Sequence, residues 1–182
     1  SSLDLSADGD TILVGNEGCE LFEISAKDGS NVHGENKGPV ATGHCTDSVM
    51  GICVHPTNKN IIVTTGDDMT VRKWDISTKK MLAMVQLDAM ARAVTYSPDG
   101  NYIAVGLGGL VTGKDPVGPI GGFKVLQDED LAIAIEGRDA RQWVTSIKFS
   151  PDGRGMALSS RDGKLYLYDV EDAYKLGKFV KL

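Results

Sequence analysis

Apolar and polar residues alternate with a period of two along most of the chain, in short runs separated by turn residues. The runs are rich in β-branched side chains, as strands require, and include Thr11–Gly15, Ile61–Thr65, Tyr102–Gly106 and Gly155–Ser159. Only Met81–Met90 comes close to helical periodicity, and its Val85-Gln86-Leu87 fits a strand equally well. The pattern therefore predicts an all-β chain.

One pattern, an alternating strand that runs into a polar turn, occurs four times. The equivalent turn residues are Ser6, His55, Ser97 and Ser150, spaced by 49, 42 and 53 residues. One propeller blade takes about 40–45 residues, and each repeat holds a strand pattern for four strands. We therefore predict a β-propeller architecture of about four four-stranded blades, at 1–42, 43–88, 89–137 and 138–182, with an insertion at 108–121.

The second repeat carries the most specific motif, Gly43-His44 followed by Trp74-Asp75. This arrangement resembles a WD40 repeat. The resemblance implies a buried hydrogen-bonded tetrad, formed here by His44, Asp68, Trp74 and Thr65, with Thr64 as the alternative threonine. A buried carboxylate must be paired, and an imidazole bonded on both nitrogens does this compactly. We therefore favour a structural role for His44 and Asp68 over a catalytic dyad.

Longer stretches resemble the echinoderm microtubule-associated protein-like (EML) family, namely residues 11–24, 47–56, 65–75 and 91–100. That family carries two propellers fused in tandem, and the chain would correspond to much of the second one without its last blades. About four blades do not close a ring of about seven. The resemblance thus implies a partial propeller, whose end blades expose apolar faces and through which the isolated chain self-associates.

Composition limits the location of the protein. The chain has 182 residues, of which 41% are hydrophobic and 24% charged, a balance typical of soluble globular proteins. Its longest apolar runs fall far short of the roughly 20 residues of a membrane span, so we expect no membrane partner. The three cysteines, Cys19, Cys45 and Cys53, form no Cys-x-x-Cys pair, so we expect neither a disulfide framework nor a zinc site. A reducing cytoplasm fits this pattern best.

Charge and motifs give no sign of a cofactor, a metal or a catalytic set. The net charge of −6 disfavours nucleic acid as a partner. Gly108–Lys114 has the spacing of a phosphate-binding loop, but Asp115 stands where a Ser or Thr would coordinate magnesium. The proline-containing residues that follow cannot form the helix that such a loop requires. We interpret 108–121 as a projecting loop of unassigned role.

The function predicted is that of a non-enzymatic scaffold, and the resemblance implies tubulin or microtubules as partners, in the cytoplasm at the cytoskeleton. A WD40 adaptor for an unrelated complex is the alternative, and a propeller enzyme is a further one. Partners of WD40 proteins tend to bind at the rim, where the candidates are Asp47, Ser48, Met90, Arg92, Arg141, Gln142 and Trp143. Trp143 fits either core packing or partner contact.

A contact with tubulin, whose surface is strongly acidic, would need a local basic patch to overcome the negative net charge. The candidate residues are Arg72, Lys73, Lys79, Lys80, Lys175, Lys178 and Lys181. They are few, and acidic neighbours such as Asp75 and Glu171 offset them. We therefore expect this segment to contribute at most a weak contact.

Overall fold

The computed structural model describes residues 2–6, 8–15, 20–34, 39, 41–44, 49–108 and 121–181. Across these ranges the chain forms sixteen strands and no helix, in four antiparallel sheets of four strands each. Within these ranges there is therefore no helix that could cross a membrane. The chain divides into two compact units, residues 1–47 and 48–182. The prediction of an all-β fold with about four four-stranded blades is confirmed.

Within each sheet, strands that follow one another in the chain are hydrogen-bonded neighbours. Sheet 1, in the first unit, contains β1 (Ser2–Leu5), β2 (Thr11–Gly15), β3 (Glu20–Ser25) and β4 (Ala41–Thr42). Sheet 2 contains β5 (Val49–Val54), β6 (Ile61–Gly66), β7 (Thr70–Asp75) and β8 (Lys80–Gln86). Sheet 3 contains β9 (Met90–Tyr96), β10 (Tyr102–Gly108), β11 (Gly122–Gln127) and β12 (Ile133–Gly137). Sheet 4 contains β13 (Val144–Phe149), β14 (Gly155–Ser160), β15 (Lys164–Asp169) and β16 (Lys175–Lys181).

These strands lie inside the four blade ranges given above, although the ranges themselves stay a prediction. Of the insertion at 108–121, Gly108 ends β10 and Gly121 precedes β11, and 109–120 lie outside the described residues.

Sheet 3 packs between sheets 2 and 4, because β9 contacts β5 on one side and β13 on the other. Side chains alternate along a strand, so β10 contributes to two separate cores. Ile103, Val105 and Leu107 are fully buried in the core with sheet 2, where they join Val63 and Val71. β10 thus packs against sheet 2 with one face and against sheet 4 with the other.

On the opposite face of sheet 3, β10 carries two small residues, Ala104 and Gly106. Ala104 is fully buried in the core with sheet 4, and a Cβ placed on Gly106 would collide with the side chain of Val144. The sheets therefore approach closely at this point. Beside it, Phe123 and Tyr168 pack edge to face with 4.8 Å between their ring centroids, a favourable geometry for an aromatic pair.

The fourth strand of sheet 3 begins later than the sequence pattern suggested. Large apolar residues alternate with alanine over Leu131–Ile135, which predicts a strand from Leu131, whereas β12 begins at Ile133. Leu131 lies in the preceding turn with a φ of 59°, and its side chain is 1% exposed. Its apolar character reflects a turn position that points into the core, which a period-two pattern cannot distinguish from a strand position.

The turn between the first and second strands is built in the same way in sheets 1, 3 and 4. A serine hydroxyl donates a hydrogen bond of 2.5 Å to the aspartate two residues later, in the pairs Ser6–Asp8, Ser97–Asp99 and Ser150–Asp152. Each aspartate also accepts the backbone N–H two residues further on, at 3.1 Å. Sheet 2 uses His55 instead, whose Nδ1 accepts the N–H groups of Thr57 and Asn58 at 3.2 and 3.1 Å.

These turns predict a pH dependence of stability. The hydrogen bond from Ser150 is the largest cause of a lowered pKa of Asp152, and Ser6 acts in the same way on Asp8. A carboxyl group whose pKa is lowered by folding stabilises the folded state at pH values above its unfolded-state pKa of about 4. This stabilisation is lost as the pH falls through the folded-state pKa. We expect the melting temperature to fall between about pH 5 and about pH 3, and to fall less in Ser150→Ala. Identical profiles of the two proteins in thermal denaturation would contradict this.

Candidate functional site

The indole of Trp74 in β7 is held by a hydrogen bond to the neighbouring strand. Its Nε1–H donates to Oγ1 of Thr64 in β6, at 2.8 Å. Thr65 points to the other face of the sheet because successive strand residues alternate. The Thr65 side chain is fully buried, and its hydroxyl has no hydrogen-bond partner among the described residues. Of the two threonines that the sequence allowed, Thr64 is the one that bonds to Trp74.

Asp68 is the centre of a buried polar network in the turn between β6 and β7. Its side chain is 2% exposed, and one carboxylate oxygen accepts hydrogen bonds from the N–H and the hydroxyl of Thr70, at 3.1 and 2.8 Å. The guanidinium of Arg72 donates to the other oxygen at 3.2 Å and to the Thr70 hydroxyl at 3.0 Å. These bonds offset the cost of removing the charge of Asp68 from water.

The predicted roles of three further residues named from the sequence stay predictions. His44 belongs to the first unit, where it is half-buried, and its predicted contact with Asp68 stays a prediction. Asp47 and Ser48 lie outside the described residues. The tetrad as a whole therefore stays a prediction, with Thr64 in place of Thr65.

Three of the rim candidates come together where β9 and β13 begin. The guanidinium carbon of Arg92 lies 4.2 Å from the ring centroid of Trp143, and Nη2 of Arg92 lies 3.3 Å from Sδ of Met90. Arg161 approaches the same indole at 5.1 Å. Asp67 completes the group, with Oδ1 at 3.1 Å from Nη2 of Arg92. We call these five residues the Arg–Trp surface.

The Arg–Trp surface combines a half-buried indole with two guanidinium groups, an arrangement that cation–π attraction stabilises. Asp67 and Arg92 attract each other by charge at 3.1 Å, but neither Oδ1 of Asp67 nor Nε of Arg92 makes a hydrogen bond within the described ranges. Trp143 is thus neither a buried core residue nor a fully exposed one. Core packing and partner contact therefore stay the two alternatives for Trp143.

Asp67 and Arg161 are not among the rim residues named from the sequence, although the sequence holds a signal for them. Each follows the second strand of its sheet, after Gly66 in sheet 2 and after Ser160 in sheet 4. In an antiparallel pair the end of the second strand lies beside the start of the first. An alignment of the repeats would therefore have placed both residues beside the rim candidates.

The other two rim candidates lie next to Trp143 in the chain. Arg141 and Gln142 are exposed, and the Arg141 N–H donates to Oδ2 of Asp162 at 3.1 Å. The Gln142 carbonyl accepts a hydrogen bond of 2.9 Å from the Ser160 hydroxyl. These backbone bonds fix the segment that leads into β13, so Trp143 is presented from a held backbone.

Several of the basic residues considered for an acidic partner are used inside the molecule. Arg72 is 4% exposed and paired with Asp68, as described. Nζ of Lys73 is 2.7 Å from Oδ2 of Asp128, and its side chain is 13% exposed. The inclusion of Arg72 and Lys73 in a surface basic patch was therefore wrong, because both guanidinium and ammonium groups neutralise carboxylates of the same chain.

The buried network predicts a measurable coupling between Asp68 and Arg72. Asp68→Asn keeps the shape of the side chain but removes the charge that faces a buried guanidinium, so we expect a loss of about 3–5 kcal/mol in the free energy of unfolding. Arg72→Met removes the other charge. The double variant should lose clearly less than the sum of the two single variants in urea denaturation. Additive losses would show that the two charges do not interact.

Comparisons with known proteins agree with this architecture. A family profile described as Echinoderm microtubule-associated protein second beta-propeller matches residues 49–181. Human Echinoderm microtubule-associated protein-like 3 is 30% identical over 142 residues, which cover 78% of this chain and 14% of that protein. The Ciliary WD repeat-containing protein ctxp80 of Euplotoides octocarinatus is 27% identical over 183 residues, covering 93% of this chain and 24% of that protein.

Human Echinoderm microtubule-associated protein-like 2 is 26% identical over 163 residues, with 90% of this chain and 22% of that protein covered. The chain thus spans at most 24% of the length of these three relatives. The matched range 49–181 contains sheets 2, 3 and 4. The chain belongs to the echinoderm microtubule-associated protein-like family, and these three sheets correspond to its second β-propeller.

Proposed function

We propose that this chain is part of a non-enzymatic scaffold that binds protein partners at the edge of its sheets. Tubulin or assembled microtubules are the proposed partners of the intact protein, in the cytoplasm at the cytoskeleton. The observation that supports this best is the Arg–Trp surface, since Trp, Arg and Met are enriched at protein interfaces. Tryptophan and arginine also supply a large share of binding hot spots. The names of the relatives support the choice of microtubules.

The surroundings of the acidic groups support a non-enzymatic role. Asp128 accepts hydrogen bonds from Tyr96 at 2.9 Å and from Lys73 at 2.7 Å, and Asp162 accepts one from Tyr166 at 2.6 Å. Burial, followed by this bond, raises the pKa of Tyr166 to about 12. The part of the chain that the structure describes also contains no group of three His, Cys, Asp or Glu residues placed to hold a metal.

The charge of the segment limits how much of the microtubule affinity it supplies. Its net charge is −6, and the pairing of Arg72 and Lys73 removes two of the positive groups that could face an acidic surface. Arg161 remains exposed on the Arg–Trp surface. We therefore propose a weak, shape-dependent contact here and tighter, salt-sensitive binding in other parts of the intact protein.

Co-sedimentation with polymerised tubulin tests this proposal. We expect the intact protein to sediment with microtubules and the 182-residue chain alone to bind more weakly than about 10 µM at roughly 150 mM salt. In the intact protein, Arg161→Glu should weaken sedimentation. Arg154→Glu is the matched control. Arg154 directly precedes β14, whereas Arg161 directly follows it, and the Arg154 side chain is 71% exposed.

Three results would contradict the proposal. Micromolar binding of the chain alone, abolished by moderate salt, would show that the argument from charge is wrong. An intact protein that stays in the supernatant would favour the adaptor for an unrelated complex. Equal effects of Arg161→Glu and Arg154→Glu would remove the Arg–Trp surface from the contact.

Self-association of the isolated chain is a second proposal, and the outer face of sheet 4 supports it. Leu165 and Leu167 lie on this face, half-buried, and Val180 opposite Leu165 is 43% exposed. Lys148 and Lys178 stand among them, so the face is less apolar than a covered sheet face normally is. We propose that its apolar centre, formed by Leu165, Leu167 and Val180, is the contact between copies.

Light scattering at rising concentration measures this self-association. We expect the average mass of the chain to increase with concentration, and Leu165→Lys to reduce the increase because it places a charge in the apolar centre. Leu82→Lys is the control, since Leu82 is 51% exposed on sheet 2. A wild-type chain that stays monomeric at high concentration would refute the proposal.

A further inference from the structure

A cleft of about 550 Å³ opens between sheets 3 and 4, near the ends of β9 and β13. The Arg–Trp surface lies near the starts of the same two strands, so the cleft is a separate feature. Its apolar lining comes from Val125, Ile135, Phe149 and Val170. The volume falls within the range of about 300–1,000 Å³ that is typical of ligand sites.

Two tyrosines, Tyr102 and Tyr174, extend this apolar lining. Tyr174 lies beside Phe149 with 6.3 Å between the ring centroids, in an edge-to-face arrangement. Ala173 and Tyr174 both adopt left-handed backbone conformations, with φ of 52° and 58°, which residues other than glycine rarely do. Burial, with smaller contributions from Tyr102 and Asp99, raises the pKa of Tyr174 to about 12. The cleft therefore presents uncharged aromatic rings at neutral pH.

The charged residues that line the cleft are all acidic. Asp99 and Asp152 come from equivalent turns of the two sheets, and the described lining contains no lysine or arginine. The nearby Arg154 is paired with Glu171 at 3.2 Å. Aromatic rings beside carboxylates attract a cation through both the π-face and the negative charge. A cationic group next to an apolar one fits these surroundings.

We propose that the cleft binds a short segment of a partner protein in which an aromatic side chain stands next to a lysine or arginine. The aromatic side chain lies against Phe149 and Tyr174, and the basic group lies towards Asp99 and Asp152. An acidic segment is disfavoured because both carboxylates would repel it. This site has the opposite charge preference to the Arg–Trp surface and does not depend on the proposed contact with microtubules.

Calorimetric titration of the 182-residue chain with three acetylated and amidated peptides tests this. The probe is Gly-Phe-Arg-Gly, and the comparison peptides are Gly-Phe-Glu-Gly and Gly-Ala-Arg-Gly. We expect saturable binding of the probe and at least about tenfold weaker binding of each comparison peptide, because each lacks one of the two recognised groups. Equal affinities for the three peptides, or no saturable binding of the probe, would overturn the proposal.

A matched pair of variants locates the binding. Ala134 lines the cleft and is exposed, so Ala134→Arg places a bulky cation in it without disturbing the core. Ala132 is exposed on the same segment but does not line the cleft. We expect Ala134→Arg to weaken probe binding at least about tenfold and Ala132→Arg to leave it within about twofold. Equal losses in both variants would show that the peptide binds elsewhere.

Discussion

The close fit between sheets 3 and 4 is the constraint on which the rest of the second unit depends. Along β10, sheet 3 has the large aliphatic side chains of Ile103, Val105 and Leu107 on the face towards sheet 2, and Ala104 and Gly106 on the face towards sheet 4. Gly106 lets the side chain of Val144 approach the backbone. Since protein interiors are packed to the density of organic crystals, this asymmetry sets the separation of the two sheets. It thereby sets the positions of the residues at both of their edges.

The charged residues follow the same division between interior and edge. Asp68 with Arg72, and Asp128 with Lys73, form ion pairs that are buried or largely buried. Such pairs are retained only with good hydrogen-bond geometry, because desolvation of the charges is costly. Their formation removes these groups from the surface. The exposed edges then differ in character, with guanidinium groups around Trp143 at one end and carboxylates around an aromatic cleft at the other.

This arrangement suits a molecule that holds partners rather than transforms them. Both edges consist of turns fixed by local hydrogen bonds, such as the serine–aspartate bond repeated in three sheets. Turns can vary in sequence while the strands keep their packing, which is why binding residues concentrate on them. The two proposed contacts together would let one scaffold engage an acidic and a basic surface at the same time.

Much of this fold could be predicted from the sequence, because strand alternation and turn residues are local properties. The repeated turn beginning at Ser97 and Ser150, the all-β class and the family resemblance all follow from short stretches of residues. Sequence also named Trp143, Arg92 and Met90 as rim residues, since each stands at the start of a first strand in its repeat.

Tertiary structure decided what depends on faces and on contacts between sheets. It decided that Thr64 rather than Thr65 bonds to Trp74, because only the register shows which face each threonine occupies. It buried Arg72 and Lys73, which look like surface charges in the sequence, since their partners become neighbours only on folding. The cleft likewise exists only between two packed sheets. Local pattern determines which strands form, whereas the pairing of distant side chains requires the packed structure.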